Sequence, residues 1–183
     1  MHIAQLWVNL PARAKMSPPR YQTLLAQDIP VIDLPLAAGT LRVIAGSYEQ
    51  TGGPARTFTP VNVWDTMLRA EGRWSAPIAA DQTAIIAVLR GTIVVNHVER
   101  VGADNIVVFA RERGEIVVDA DTDSHLLILS GEPLNEPIVG HGPFVMNSNE
   151  EIQQAISDLH RGDFGEIDEQ PVGSADRAMN VTP

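Results

Sequence analysis

Short apolar runs, each closed by Gly, Pro, Asn or Asp, recur along the chain and set its predicted architecture. They fall at residues 3–8, 31–34, 40–45, 57–59, 63–69, 84–89, 93–96, 106–109, 115–118 and 126–129. Many are β-branched and only a few residues long, the spacing of an all-β sandwich or barrel. Gly91, between 84–89 and 93–96, predicts a hairpin at that point. Residues 12–21 are irregular and broken by Pro18-Pro19, and 21–27 has room for one helical turn or two.

Helical periodicity is convincing once. Ile152, Ala155, Ile156 and Leu159 follow one another at i, i+3, i+4, i+7. Ser148 and Glu151 fit a capping box, acids occupy the first turn, and Arg161-Gly162 marks the end. One face is apolar and predicts packing against the outside of the barrel. Beyond Phe164-Gly165 the chain is polar and unpatterned, which predicts a disordered, acidic tail over 166–183.

The stretch 129–147 is too rich in Gly and Pro for a strand and too apolar for a free loop. It predicts an ordered connection packed on the core, with prolines setting its path and glycines its turns. Glu132, Asn135, Glu136 and His141 supply polar groups that either meet in a pocket or bond loop backbone, and the second reading is preferred.

Composition narrows the function classes. The 183 residues fit one domain with trimmings, at about 150 residues per domain. A formal charge of −10, with a single Lys among 13 basic residues, argues against a phosphate-tracking nucleic-acid binder. The acidity concentrates in 131–183, which holds ten acids against two bases. No run is long enough to span a membrane, and residues 1–10 lack the basic-then-apolar order of a signal peptide. With no cysteine, thiolate metal sites and cysteine nucleophiles are excluded, and a soluble cytoplasmic protein is the expectation.

Searches for chemistry end mostly in exclusions. None of the five histidines (His2, His97, His125, His141, His160) lies two residues from another, so no strand aims two imidazoles at one ion. Asp119-Ala120-Asp121-Thr122-Asp123 begins like a calcium loop. Ser124 then replaces the turn glycine and Ser130 the bidentate acid, so a solvated acidic turn is the better reading. Ile128 stands where a nucleophile elbow before Ser130 needs glycine, and Gly140-His141-Gly142 leads into Pro143 instead of a helix.

Residues 129–147 and the helix after them resemble the C-terminal signature of the pirin family. So do Gln5-Leu6-Trp7-Val8-Asn9-Leu10-Pro11, Lys15, Pro19-Arg20-Tyr21-Gln22, Ile29-Pro30, Gly52-Gly53-Pro54-Ala55, Thr57 and Thr59-Pro60. The resemblance covers about 4–165. It implies a bicupin, two small β-barrels in one chain, with iron in the N-terminal barrel, quercetin-degrading dioxygenase activity, and transcriptional co-regulation in eukaryotes. The metal-binding barrel, with its His-Pro-His signature, would precede Gln5, where this sequence has four residues. The chain is therefore expected to resemble the C-terminal cupin alone. Laying the cupin pattern on it with Gly91 ending the first motif puts the ligand positions on 77–80 and Thr83 or Ala84, where no ligand type occurs. In the second motif, Gly114 places His125 at the histidine position, a lone relic of a metal site.

The sequence thus predicts a mainly all-β, cupin-type jelly-roll barrel over 1–147, a C-terminal amphipathic helix over 148–165 packed on it, and the tail. The preferred function is that of a metal-free module with a structural or protein-interaction role and no catalytic residues. It would dimerise, or bind another chain, through the face left by the absent cupin, with Trp7 either a contact there or a core residue. A first alternative makes the chain part of a quercetinase-like dioxygenase, its divalent metal held only in the missing half. A second is metal-free binding of a small molecule in the barrel lumen. Trp64, Trp74, His125, Glu132, Glu136 and His141 are the lumen or loop-pocket candidates.

Overall fold

The computed structural model describes residues 3–111 and 115–164, so the expected tail lies outside the described residues. Two compact units emerge: Leu24–Asn135, and a second whose described part is 3–23 with 136–164.

The strands of the first unit are β1 (Val31–Asp33), β2 (Gly39–Ala45), β3 (Ser47–Tyr48), β4 (Thr51–Gly52), β5 (Val61–Leu68), β6 (Arg73–Ala76), β7 (Thr83–Arg90), β8 (Thr92–Val95), β9 (Glu99–Gly102), β10 (Asn105–Val108), β11 (Ile116–Ala120) and β12 (Ser124–Gly131). A six-stranded sheet in the order β1-β2-β5-β12-β7-β10 accompanies a four-stranded sheet, β6-β11-β8-β9. Every pairing within these two sheets is antiparallel. Period-2 alternation sends Leu41 and Val43 of β2, Trp64 and Leu68 of β5, Ile86 and Val88 of β7, and Leu126 and Ile128 of β12 to one side. There they share a buried cluster with Trp74, Ile93, Val95, Ile116 and Val118 of the second sheet. Two sheets closing over one apolar core is the all-β barrel that the spacing of the runs predicts.

Gly91 does a different job from the one expected. β7 and β8, on either side of it, belong to different sheets, so it makes a corner and no hairpin. Its φ of +87° and the Asp123 carbonyl 2.6 Å from where a Cβ would stand leave room for glycine alone. The tight hairpin lies further on, between β8 and β9, where Asn96 and His97 both take positive φ (50° and 59°) as a primed turn requires. The run 57–59, bracketed by Pro54 and Pro60, forms no strand.

The second unit has its own elements: β13 (Val139–His141), β14 (Phe144–Met146) and α1 (Asn149–Arg161). Inside the stretch read as a strandless connection, β13 and β14 pair across a two-residue Gly142-Pro143 loop. Gly142 at φ 55° supplies the glycine-first pattern of a type II′ turn, which the Gly/Pro count had disguised. The capping box of α1 forms in full: Glu151 N–H donates to Ser148 Oγ (3.2 Å) and Ser148 N–H to Glu151 Oε2 (3.1 Å). Left-handed Gly162 (φ 76°) ends the helix. Ile152 and Ala155 are buried, and the elements the helix packs on are β14 and β13. Residues 3–8, expected as a first strand, are irregular and exposed, and no strand among the described residues pairs with them. Among the described residues no helix is long and apolar enough to cross a membrane.

Candidate functional site

Trp64 and Trp74 lie inside the barrel, fully buried, and meet Tyr48 there. The indole centroids are 6.3 Å apart, and the Tyr48 ring stands edge-on to Trp64 at 5.5 Å. Trp74 Nε1–H donates to Tyr48 Oη at 3.1 Å. Trp64 Nε1 and Thr66 Oγ1, both on β5, are buried without a hydrogen-bond partner among the described residues. An indole N–H can only donate and a neutral hydroxyl is a poor ligand, so these atoms do not suit a transition metal. Aromatic and branched side chains make up the buried cluster of this interior.

His125 follows the opposite face of β12. Its neighbours Leu126 and Ile128 enter the core, while its own side chain is part-buried on the outer face of the six-stranded sheet. There Nε2 is hydrogen-bonded to Asp65 Oδ1 on β5, and Arg42 Nη1 of β2 donates to Asp65 Oδ2 at 3.1 Å. Three adjacent strands thus build an Arg42–Asp65–His125 row in which one carboxylate orients an imidazole and a guanidinium. No hydroxyl is hydrogen-bonded to His125 among the described residues, so the row lacks the nucleophile a triad would need.

A second row of the same composition lies on the four-stranded sheet. His97 Nδ1 is 3.0 Å from Asp119 Oδ2, and Arg73 pairs with the other oxygen. That contact raises the pKa of Arg73 above its ordinary value through the Asp119 hydrogen bond and charge. Asp121 pairs with Arg100 at 2.6 Å, and Asp123 Oδ1 accepts from Ala70 N–H at 2.9 Å. The three acids of the calcium-like run therefore have separate partners, two of them on Asp119, and do not converge on an ion. No group of three His, Asp or Glu able to hold a metal occurs among the described residues.

Of the loop candidates, Glu132 and His141 are exposed. Glu136 is a structural anchor: Oε2 accepts from Ala12 N–H at 2.7 Å and from Asn147 Nδ2 at 3.2 Å, tying the start of the unit to the residue before the helix cap. Sequence reasoning passed over Arg42, Asp65 and Tyr48. Alternation along β5 would have put Asp65 on the face opposite Trp64, but only the pairing of β5 with β12 puts it beside His125.

The second unit also holds an open cavity of about 330 Å3, lined in part by Trp7, Leu10, Lys15, Met16, Phe144 and Phe164. Lys15 Nζ donates to Asn9 Oδ1 at 2.7 Å and to the Val145 carbonyl at 2.9 Å. The rings of Phe144 and Phe164 stack at 6.0 Å.

Comparison with known proteins gives these features a context. Residues 63–165 match the family model for the pirin C-terminal cupin domain. A Pseudomonas aeruginosa protein named as a candidate quercetin 2,3-dioxygenase is 49% identical over 164 residues, 90% of this chain and 57% of its own length. Human pirin is 35% identical over 169 residues, again 90% of this chain and 57% of the relative. The crystal structure of a quercetin 2,3-dioxygenase from Acinetobacter baumannii superposes with a TM-score of 0.82 at 44% identity, covering 87% of this chain and 56% of that one. The chain spans a little over half the length of the relatives it matches. With a two-sheet β fold, one capped helix and a match over most of its length, the chain belongs to the pirin family, through its C-terminal cupin domain.

Proposed function

We propose that this chain acts as a metal-free, non-catalytic cupin module of the cytoplasm, with a structural or protein-interaction role. The observation that carries the reading is the filled interior. Where a catalytic cupin would need several N or O donors converging on an ion, the space is taken by Tyr48, Trp64, Trp74 and branched aliphatics. The interaction half of the proposal draws on exposed apolar side chains of the larger sheet, among them Met67, Ile106 and Val108. Such side chains favour a second copy or another chain as the covering partner.

The test is metal analysis of protein purified without added metal or chelator, beside its mass by light scattering. Substoichiometric metal and a dimer mass are expected. Stoichiometric iron or nickel overturns the metal-free reading, and a monomer at high concentration overturns self-association.

The names of the relatives favour a second reading, in which the chain is the C-terminal part of a quercetin 2,3-dioxygenase. Quercetin oxidation that requires both this chain and a separately supplied, iron-loaded N-terminal cupin, and is lost on chelation, would select it over the first.

A further inference from the structure

We propose that the cavity of the second unit is a binding site for an aromatic monocarboxylate, with Lys15 as the anchor of its charged head. Its volume, about 330 Å3, falls at the small end of the range used by small-molecule sites. The walls are largely apolar and partly aromatic, with Trp7 and the stacked Phe144 and Phe164 rings among them, flat surfaces suited to a planar ligand.

The head group follows from Lys15. Its ammonium is held in place by Asn9 Oδ1 and the Val145 carbonyl, both neutral oxygens, and no carboxylate of the described residues pairs with it. An ammonium has three N–H donors, and two are used in that mounting. One donor and a full positive charge remain beside apolar surface, a match for a single anionic oxygen. A phosphate, with three acceptor oxygens, would ask for a fork of donors such as an arginine provides. In a chain carrying −10 overall, a lysine without a counter-ion among the described residues at the wall of a cavity marks a place that attracts an anion locally.

The test uses the full chain, 1-naphthoate as the probe and 1-naphthylmethanol as its neutral counterpart. Trp7 lines the cavity, whereas Trp64 and Trp74 are buried in the other unit, so tryptophan emission reports binding and Trp7→Phe removes the response. Saturable binding of naphthoate is expected, tighter than that of the alcohol. Lys15→Gln should weaken naphthoate roughly ten- to a hundredfold, the worth of one charge-assisted hydrogen bond, and leave the alcohol within about twofold. Met16→Glu, at a side chain already 64% exposed, adds a negative charge beside the cavity without disturbing the Lys15 mounting. It should weaken naphthoate selectively even if Lys15→Gln fails to fold.

Equal affinity for acid and alcohol, or naphthoate binding that neither variant weakens, overturns the proposal. So does a response that survives Trp7→Phe. An apparent affinity that falls as protein concentration rises would assign the cavity to a second copy of the chain, which also overturns it.

Discussion

Trp64 and Trp7 are the same side chain in opposite circumstances, 1% exposed in the barrel and 73% exposed in the second unit. Trp64 sits on an eight-residue strand paired on both sides, where alternation turns it toward a second sheet and against Tyr48 and Trp74. Trp7 belongs to a segment with no ladder partner among the described residues. The barrel is therefore held by apolar burial, which is non-directional and accumulates with area. The ordering of the second unit leans on a few directional bonds: Glu136 to Ala12 and Asn147, Lys15 to Asn9 and Val145, and the Ser148–Glu151 box. A region ordered in that way keeps its apolar side chains available to something else.

Substitutions can break or sharpen this contrast. Trp64→Ala should be the most damaging, costing roughly 3–5 kcal/mol in denaturant unfolding because a close-packed core cannot collapse around the lost indole. Gly91→Ala comes next, at about 1–3 kcal/mol, since alanine at φ +87° is strained and its Cβ meets the Asp123 carbonyl. Ser148→Ala removes the cap and should cost ~1 kcal/mol, read as lost helical ellipticity, with Ser148→Asp largely restoring it. Trp7→Ala should change unfolding stability by less than about 0.5 kcal/mol, and a loss near that of Trp64→Ala would abolish the contrast.

The smallest effect concerns pH. The pKa of Glu150 lies below its ordinary value of 4.5, because its own backbone N–H and the Ser148 hydroxyl bond the charged form. A depressed carboxylate contributes stability above its unfolded pKa and loses it as pH falls through the lowered folded value. Glu150→Gln should therefore narrow the difference in stability between neutral and acid pH, and an unchanged pH profile would count against the cap as its cause.

Legibility in the sequence varied with position in the sheets. β2, β5, β7 and β12, the central strands of the larger sheet, carry the clearest apolar runs and were all anticipated. β6 and β9 were passed over. Both are edges of the four-stranded sheet, and edge strands carry polar residues such as Arg73, Glu99 and Arg100 that dilute the pattern. The capping box was visible because its residues are three apart. Trp64 and Trp74 belong to the buried cluster of the barrel, where they pack against Tyr48.

What the sequence determined by itself is local: which side of each long strand is apolar, where the helix starts and stops, and which metal and nucleophile motifs are absent. Those properties depend on residues within a few positions of one another, where backbone geometry alone sets the neighbours. What only the tertiary structure decided is which distant groups share a place. Asp65 reaches His125 across 60 residues, and Glu136 reaches Ala12 across 124. No periodicity encodes such pairings, because they arise from strand order and register, which the whole core selects at once.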